Sequence, residues 1–357
     1  MAFISVNPDA LVKMHTYEGT ASTNAQTGID FQPDLVWLKN IDSAGDWSCY
    51  DAIRGSTKAL MQDNNGEEQT YSTGLTSFDA DGFTVGTQAV VNGSGHTIGN
   101  WNWKAGTTSG ITTNGSTTIT PSSYSFNTGA GFSILKYTGN GTSGAKLAHG
   151  LGGTPDFYMI KDITNANNWR VYHVGINGSG YSSQGDYQLT LDDTSARDDQ
   201  PDFTNDTVPD AVNISLGDQG KVNSNATTYI CYAWRNIKGL SQFGYSSANG
   251  EVNGNFHYTS FRPAMVLYKK YSSTSGWLLY SDQLGSPWNV DEGVTGTTAY
   301  QEVHAAGTNQ TDKPIHIFSN GFKVVDGAAE VNSGSYVWCA WAAQPLVSST
   351  GTPATAR

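Results

Sequence analysis

One block occurs three times in the chain, and it limits the possible folds more than any other feature. The first copy is PDLVWLKNIDSAGDWSCY, the second PDFYMIKDITNANNWRVY and the third PAMVLYKKYSSTSGWLLY. They begin at Pro33, Pro155 and Pro263. In each copy a lysine follows the proline by six residues, a tryptophan follows it by fourteen, and a tyrosine follows the tryptophan by three. The resulting triples are Lys39, Lys161 and Lys269; Trp47, Trp169 and Trp277; and Tyr50, Tyr172 and Tyr280. Self-similarity at a period near 100 residues describes repeated domains rather than short solenoid turns.

A second block closes each copy: VNGSGHTIGNWNW, VNSNATTYICYAW and VNSGSYVWCAW, ending at Trp103, Trp234 and Trp341. Gly82-Phe83 and Gly321-Phe322 precede it in copies one and three, with VNISLG at Val212 to Gly217 in copy two. An aromatic residue opens each copy, at Tyr17, Tyr137 and Tyr245. LVWL, FYMI and MVLY are short apolar runs after a proline, the pattern of a strand covered on both faces. The proline is expected to start the strand, where its missing N–H does least harm. SAGDW, NANNW and STSGW carry turn chemistry and predict hairpins. No helical stripe exceeds about two turns. The expected fold is therefore all-β, with three tandem antiparallel β-sandwich units of the jelly-roll or lectin-like kind. The expected boundaries are 1–105 for the first unit, 131–239 for the second and 240–345 for the third. Residues 106–130 form a Gly/Thr/Ser-rich connection into the second unit, and 346–357 a tail. A unit of this size can carry its own core, so the three are expected to behave as beads.

Composition supports this reading. Charged residues are 14% of the chain, against about 25% in a typical soluble protein. Aromatics are 11%, including 10 Trp and 18 Tyr, which favours strands and opposes disorder. A formal net charge of −12 repels phosphate backbones, so no nucleic acid partner is expected. No apolar run reaches about 18 residues, so no membrane insertion is expected. No signal peptide is visible at the start. Cys49, Cys231 and Cys339 are odd in number, far apart and set among strand-forming aromatics. They read as buried free thiols, which fits assembly in a cytosol.

Several segments resemble a repeat domain of structural proteins from tailed phages, often marine ones. They are YDAIRG at Tyr50–Gly55, SFDADGFTVG at Ser77–Gly86, NWNWKAG at Asn100–Gly106 and the long stretch from Gly131 to Asp162. The resemblance implies a tail-fibre or minor virion protein, located on the virion after assembly in the host cytoplasm. Other virion proteins would be its partners, with a host cell-surface glycan and further copies of itself as candidates. A capsid decoration or appendage protein is the alternative. A polysaccharide depolymerase is a minor one, since tailspike enzymes usually show much shorter solenoid repeats. Copy three departs most from the pattern, lacking the HGLG of His149–Gly152 and carrying Ala342 after its last Trp.

Residues shared by all three copies are expected in the common core: Pro33, Lys39, Trp47, Tyr50, Trp103, Pro155, Lys161, Trp169, Tyr172, Trp234, Pro263, Lys269, Trp277, Tyr280 and Trp341. Ligand contacts should lie in loops that differ between copies. The candidates are Tyr181 in GSGYSSQGDY and Trp288 in GSPWNVDEG. The stretch from Asp192 to Asp210 holds seven Asp. Asp192, Asp193, Asp198 and Asp199 are candidate calcium ligands there, although EF-hand spacing is absent and a solvated acidic loop is the plainer reading. No cofactor is expected. No nucleophile motif stands in a suitable context. Asp79 with Asp81, or Asp291 with Glu292, lack any feature marking a glycosidase pair. The chain is expected not to be an enzyme.

Overall fold

The computed structural model describes residues 6–178, 184–284 and 299–345. The fold is all-β, and every sheet is antiparallel. Three large sheets share one spatial order. An opening strand lies beside the closing strand, then comes the Pro–Lys strand, then its hairpin partner. In the first sheet these are Val12–Glu18, Thr97–Trp103, Leu35–Asn40 and Ser48–Asp51. In the second they are Phe132–Thr138, Thr228–Trp234, Phe157–Asp162 and Arg170–His173, extended by Ser123–Asn127 at one edge and by Tyr187–Thr190 and Asp198–Asp199 at the other. In the third they are Ser241–Ser247, Ser335–Pro345, Phe261–Lys270 and Trp277–Ser281, followed by Tyr300–Glu302. Registers agree as well, with Leu35 opposite Trp103, Phe157 opposite Trp234 and Met265 opposite Trp341.

Besides a two-stranded ladder of Lys58–Ala59 with Gln69–Thr70, three small sheets accompany them. They consist of Asn24–Gln26 with Gly82–Val85 and Leu75–Asp79; Ala145–Ala148 with Asn213–Leu216; and Phe256–Tyr258 with Gly321–Val324 and Ile315–Phe318. Each closes an apolar cluster with one face of its large sheet. Val36, Leu38 and Tyr50 meet Phe83 and Val85; Tyr158, Ile160 and Tyr172 meet Ile214 and Leu216; Val266, Tyr268 and Tyr280 meet Phe322 and Val324.

Successive strand residues point to opposite faces. The other face of each Pro–Lys strand therefore carries Leu35 and Trp37, Phe157 and Met159, or Met265 and Leu267. All six belong to one further cluster shared by the three copies. This corrects the expectation of beads. The apolar runs are covered on both faces as predicted, but the second cover is the other two copies.

Two local expectations also change. In copy three the proline does not start the strand. Pro263 sits inside Phe261–Lys270 at a register shift, where the ladder is already interrupted and its missing N–H is tolerated. Tyr245 is not equivalent to Tyr17 and Tyr137. Those two pair with Ile98 and Tyr229, and their hydroxyls donate to the carbonyls of Val91 (2.5 Å) and Val222 (2.7 Å). In copy three Ser246 holds that register, opposite Tyr336. A slip of one residue sends Tyr245 to the opposite face, and Tyr268 reaches the Val331 carbonyl instead, at 3.5 Å.

The V-N pairs stand in short helical turns, Ala89–Asn92, Gly220–Asn223 and Ala329–Asn332. Their asparagines are buried and act as stitches. Asn92 Nδ2 donates to the carbonyls of Gly86 and Ser22, both at 2.6 Å, and Asn223 Nδ2 to those of Gly217 (2.8 Å) and Thr142 (3.0 Å). Asn332 Nδ2 donates to the Glu251 carbonyl.

Candidate functional site

The repeated residues build the joints between copies. The indole Nε1 of Trp47 donates to the Glu302 carbonyl (3.0 Å), that of Trp169 to the Met61 carbonyl (2.8 Å), and that of Trp277 to the Thr190 carbonyl (2.7 Å). Copy one thus reaches copy three, copy two reaches copy one, and copy three reaches copy two. The contacts run in a ring. At its centre Trp103, Trp234 and Trp341 form a triangle with ring centroids 6.0, 5.8 and 6.0 Å apart and interplanar angles of 66–74°. That edge-to-face geometry sets the positive edge of one indole against the negative face of another. All three are fully buried, and their Nε1 atoms have no conventional acceptor.

The lysines close hairpins at the same joints. Lys39, Lys161 and Lys269 each donate to the carbonyl six residues on, at Gly45, Asn167 and Ser275. Lys161 also reaches Asn65 in copy one (3.1 Å), and Lys269 reaches Thr194 in copy two (3.2 Å). Burial pushes all three ammonium groups down to about 8. Tyr172 stacks on Tyr158 at 4.8 Å, the Tyr280 hydroxyl donates to the Lys313 carbonyl at 2.8 Å, and the Tyr50 hydroxyl lies 3.3 Å from Gln88 Oε1. Pro33, Pro155 and Pro263 are buried. Cys49, Cys231 and Cys339 are free and buried, and burial raises each thiol.

A joint that the repeat pattern did not mark lies between copies one and two. Arg54 Nε donates to Asp51 Oδ2 at 2.5 Å, and its Nη2 to the Cys49 carbonyl at 2.9 Å. The Tyr232 hydroxyl of copy two donates to the same Asp51 oxygen at 2.6 Å, and Glu68 lies 3.5 Å from Arg54 Nη1. Asp51 and Arg54 stand three apart in YDAIRG, the only legible trace of this pair. The equivalent residues in copies two and three are different, so comparison of the copies hides it.

The loop candidates fare differently. Tyr181, Trp288, Asp291 and Glu292 lie outside the described residues. The acidic stretch does not gather around a common point. Asp192 turns inward and accepts from the backbone N–H of Trp169 and from Asn168 Nδ2, both at 3.0 Å; burial raises its carboxyl. Asp193 caps Ser195 N at 2.8 Å, Asp198 accepts from Gln200 Nε2 at 2.8 Å, and Asp199 faces Tyr187 across a short ladder. Among the described residues no group of three or more His, Cys, Asp or Glu is placed to hold a metal ion. Asp81 accepts from the N–H groups of Gly28 and Asp30, and Asp79 from the Thr84 hydroxyl, so both carboxylates serve turns.

Two surface features remain. A cleft of about 210 Å³ opens where copy one meets copy three, lined by Asp9, Lys13, Met14, Arg262, Asp282 and Gln283. Burial raises the Asp282 carboxyl to about 6. The second feature is the outer face of the third small sheet, where Phe256, Tyr258 and Phe318 are 45, 54 and 37% exposed.

His173 makes the joint between copies two and three sensitive to acid. Its Nδ1 accepts from the Gly175 N–H (2.9 Å), and its Nε2 faces the Trp338 carbonyl (3.1 Å). This pattern requires neutral imidazole with the proton on Nε2. Burial lowers its pKa to about 3. The folded value is depressed, so the stabilisation is complete above the unfolded value of about 6.5 and is lost as pH falls toward 3. Thermal melts should show stability declining from pH 7 to 5, and His173→Gln should make that slope shallower. Burial also lowers His149 and His257 to about 4, which adds to the trend, while Asp63 and Asp282, both raised to about 6, oppose it. All four are common to both proteins, so His173→Gln should remove only part of the slope. An unchanged slope in the variant would show that His173 is not the sensitive group.

The fold and these contacts define an all-β protein whose repeated aromatic residues are spent on internal joints. The chain belongs to the DUF7483 family, described as a domain of unknown function, and the match spans residues 7–345. One family match thus covers all three copies together. No curated protein matches the chain, and neither does any solved structure. No helix among the described residues is long and apolar enough to cross a membrane.

Proposed function

We propose that the chain is three fused copies of one β-sandwich unit arranged about a pseudo-threefold axis, and that it is a phage virion surface protein that acts by binding. It is an adsorption or tail-fibre-type component, contacting other virion proteins and host glycans. The observation that carries this reading is the ring of equivalent joints around Trp103, Trp234 and Trp341, which gives one chain the outline of a trimer. Such an outline suits a threefold position on a symmetric particle. The same outline favours a second reading, a capsid decoration or appendage protein seated on a threefold axis. In either case, association with further copies would use outer surfaces, because the tryptophan faces are already buried within one chain.

The test is to incubate purified protein with host cell envelopes and with empty capsids, and to measure both cosedimentation and released oligosaccharide. Retention on envelopes without release is expected. Release abolished by a single Asp or Glu substitution would replace this reading with a hydrolase. Tight binding to capsids alone would favour decoration. Labelled antibody on intact particles would then locate the protein.

A further inference from the structure

The three copies act as internal controls for one another, and one face separates them. In the small sheets, Ala25 of copy one and Lys146 of copy two stand where copy three has Phe256. Two residues further on, Ala148 of copy two stands where copy three has Tyr258, while the copy-one strand has already ended at Gln26. Asp79 of copy one corresponds to Phe318, since each precedes its GF pair by three residues and faces that glycine across the ladder. The inward neighbours keep their apolar character, as with Phe83, Ile214 and Phe322. The fold therefore does not require aromatics on the outer face of this sheet, yet copy three places three of them in water.

They are contiguous. The rings of Phe256 and Phe318 meet edge to face, with centroids 5.6 Å apart. Phe256 leans over Gly321, where an added Cβ would lie 2.7 Å from its Cζ. Tyr258 and Phe318 flank that glycine in register. His316, beside Phe318 at 6.3 Å, and Lys323 complete the outward residues. Only Lys323 among them carries a full charge. We infer that Phe256, Tyr258 and Phe318 form a stacking platform for the rings of a neutral glycan. The inference rests on the binding role proposed above and gives it a site.

Area and charge select this occupant. At side-chain surfaces of roughly 150–250 Å² each, the three exposed fractions sum to about 300 Å². A stable protein partner, including a second copy of this chain, needs roughly 800 Å² per side. A membrane surface would call for a basic cluster, and this chain has a net charge of −12. Flat rings with donors and acceptors at the edge suit a small polyhydroxylated ring, which offers C–H groups to the aromatic face and hydroxyls to the rim.

The test uses the full chain and an immobilised panel of neutral oligosaccharides built from glucose, galactose, mannose and N-acetylglucosamine. Tyr258→Ala and Phe318→Ala, singly and together, are the variants; both sites are exposed, so circular dichroism should report an intact fold. At least one panel member should be retained, about tenfold more weakly for each ring removed, with little change between about 0.05 and 0.5 M salt. Equal retention by the double variant overturns the platform while leaving the binding role in place. No retention of any panel member overturns it too, and self-association of the parent chain that the double variant loses would assign the face to copy–copy contact. Cosedimentation of the double variant with host envelopes, measured alongside, shows separately whether the broader binding role stands.

Discussion

Trp234→Ala is expected to destabilise the whole chain by about 3–5 kcal/mol, the cost of lost transfer energy plus a cavity in a packed core. Trp234 stacks on Phe132 and Phe157 at 5.0 and 5.3 Å and meets both other members of the central triangle. Its removal therefore loosens all three copies at once. Urea titration followed by near-UV and far-UV circular dichroism should give one shared, shifted transition. Separate transitions, with only a third of the signal moving early, would show that the copies unfold as independent beads. Trp169→Ala should cost a similar amount, since it also strands the Met61 carbonyl that its indole serves.

The second large effect is expected at Asp51. Asp51→Ala leaves the buried Arg54 guanidinium with only the more distant Glu68 carboxylate, at 3.5 Å, and removes the acceptor of the Tyr232 hydroxyl. Breaking a buried pair in this way costs about 3–5 kcal/mol. The double replacement Asp51→Ala with Arg54→Met should recover much of that loss, because no buried, underpaired guanidinium then remains. Chemical denaturation of the two variants decides the matter. A double variant no more stable than Asp51→Ala alone would mean that packing, and not the underpaired charge, dominates.

The strands were legible because their cause is local. A proline before an apolar run, a turn of Ser, Asn and Gly, and a tryptophan after it specify a hairpin within about eighteen residues, and Leu35–Asp51, Phe157–His173 and Met265–Ser281 pair in that way. Burial on both faces was legible for the same reason. What covers the second face was not, since Trp47 meets Glu302 across 255 positions of chain and no local pattern encodes that distance. The register of Tyr245 does not follow from its spacing, because the distance to the proline varies by two residues among the copies while a slip of one already exchanges faces. The Asp51–Arg54 pair escaped because it has no counterpart in the other copies. The platform escaped for the opposite reason. Ligand contacts are expected in loops that differ between copies, whereas Phe256, Tyr258 and Phe318 lie on strands and differ from their counterparts only in identity.

The central tryptophan triangle has a consequence for valency. A homotrimer built on the same axis would present every surface substitution three times, so an adhesive patch or a crevice would arrive with two obligatory duplicates. In a single chain the joints hold the three copies in place while each exterior drifts by itself. Phe256, Tyr258 and Phe318 occur once per molecule, and so does the Asp282 cleft. On the proposed reading, each chain would present a monovalent face on a threefold frame, and its avidity for a target would be set by how many whole chains are displayed together.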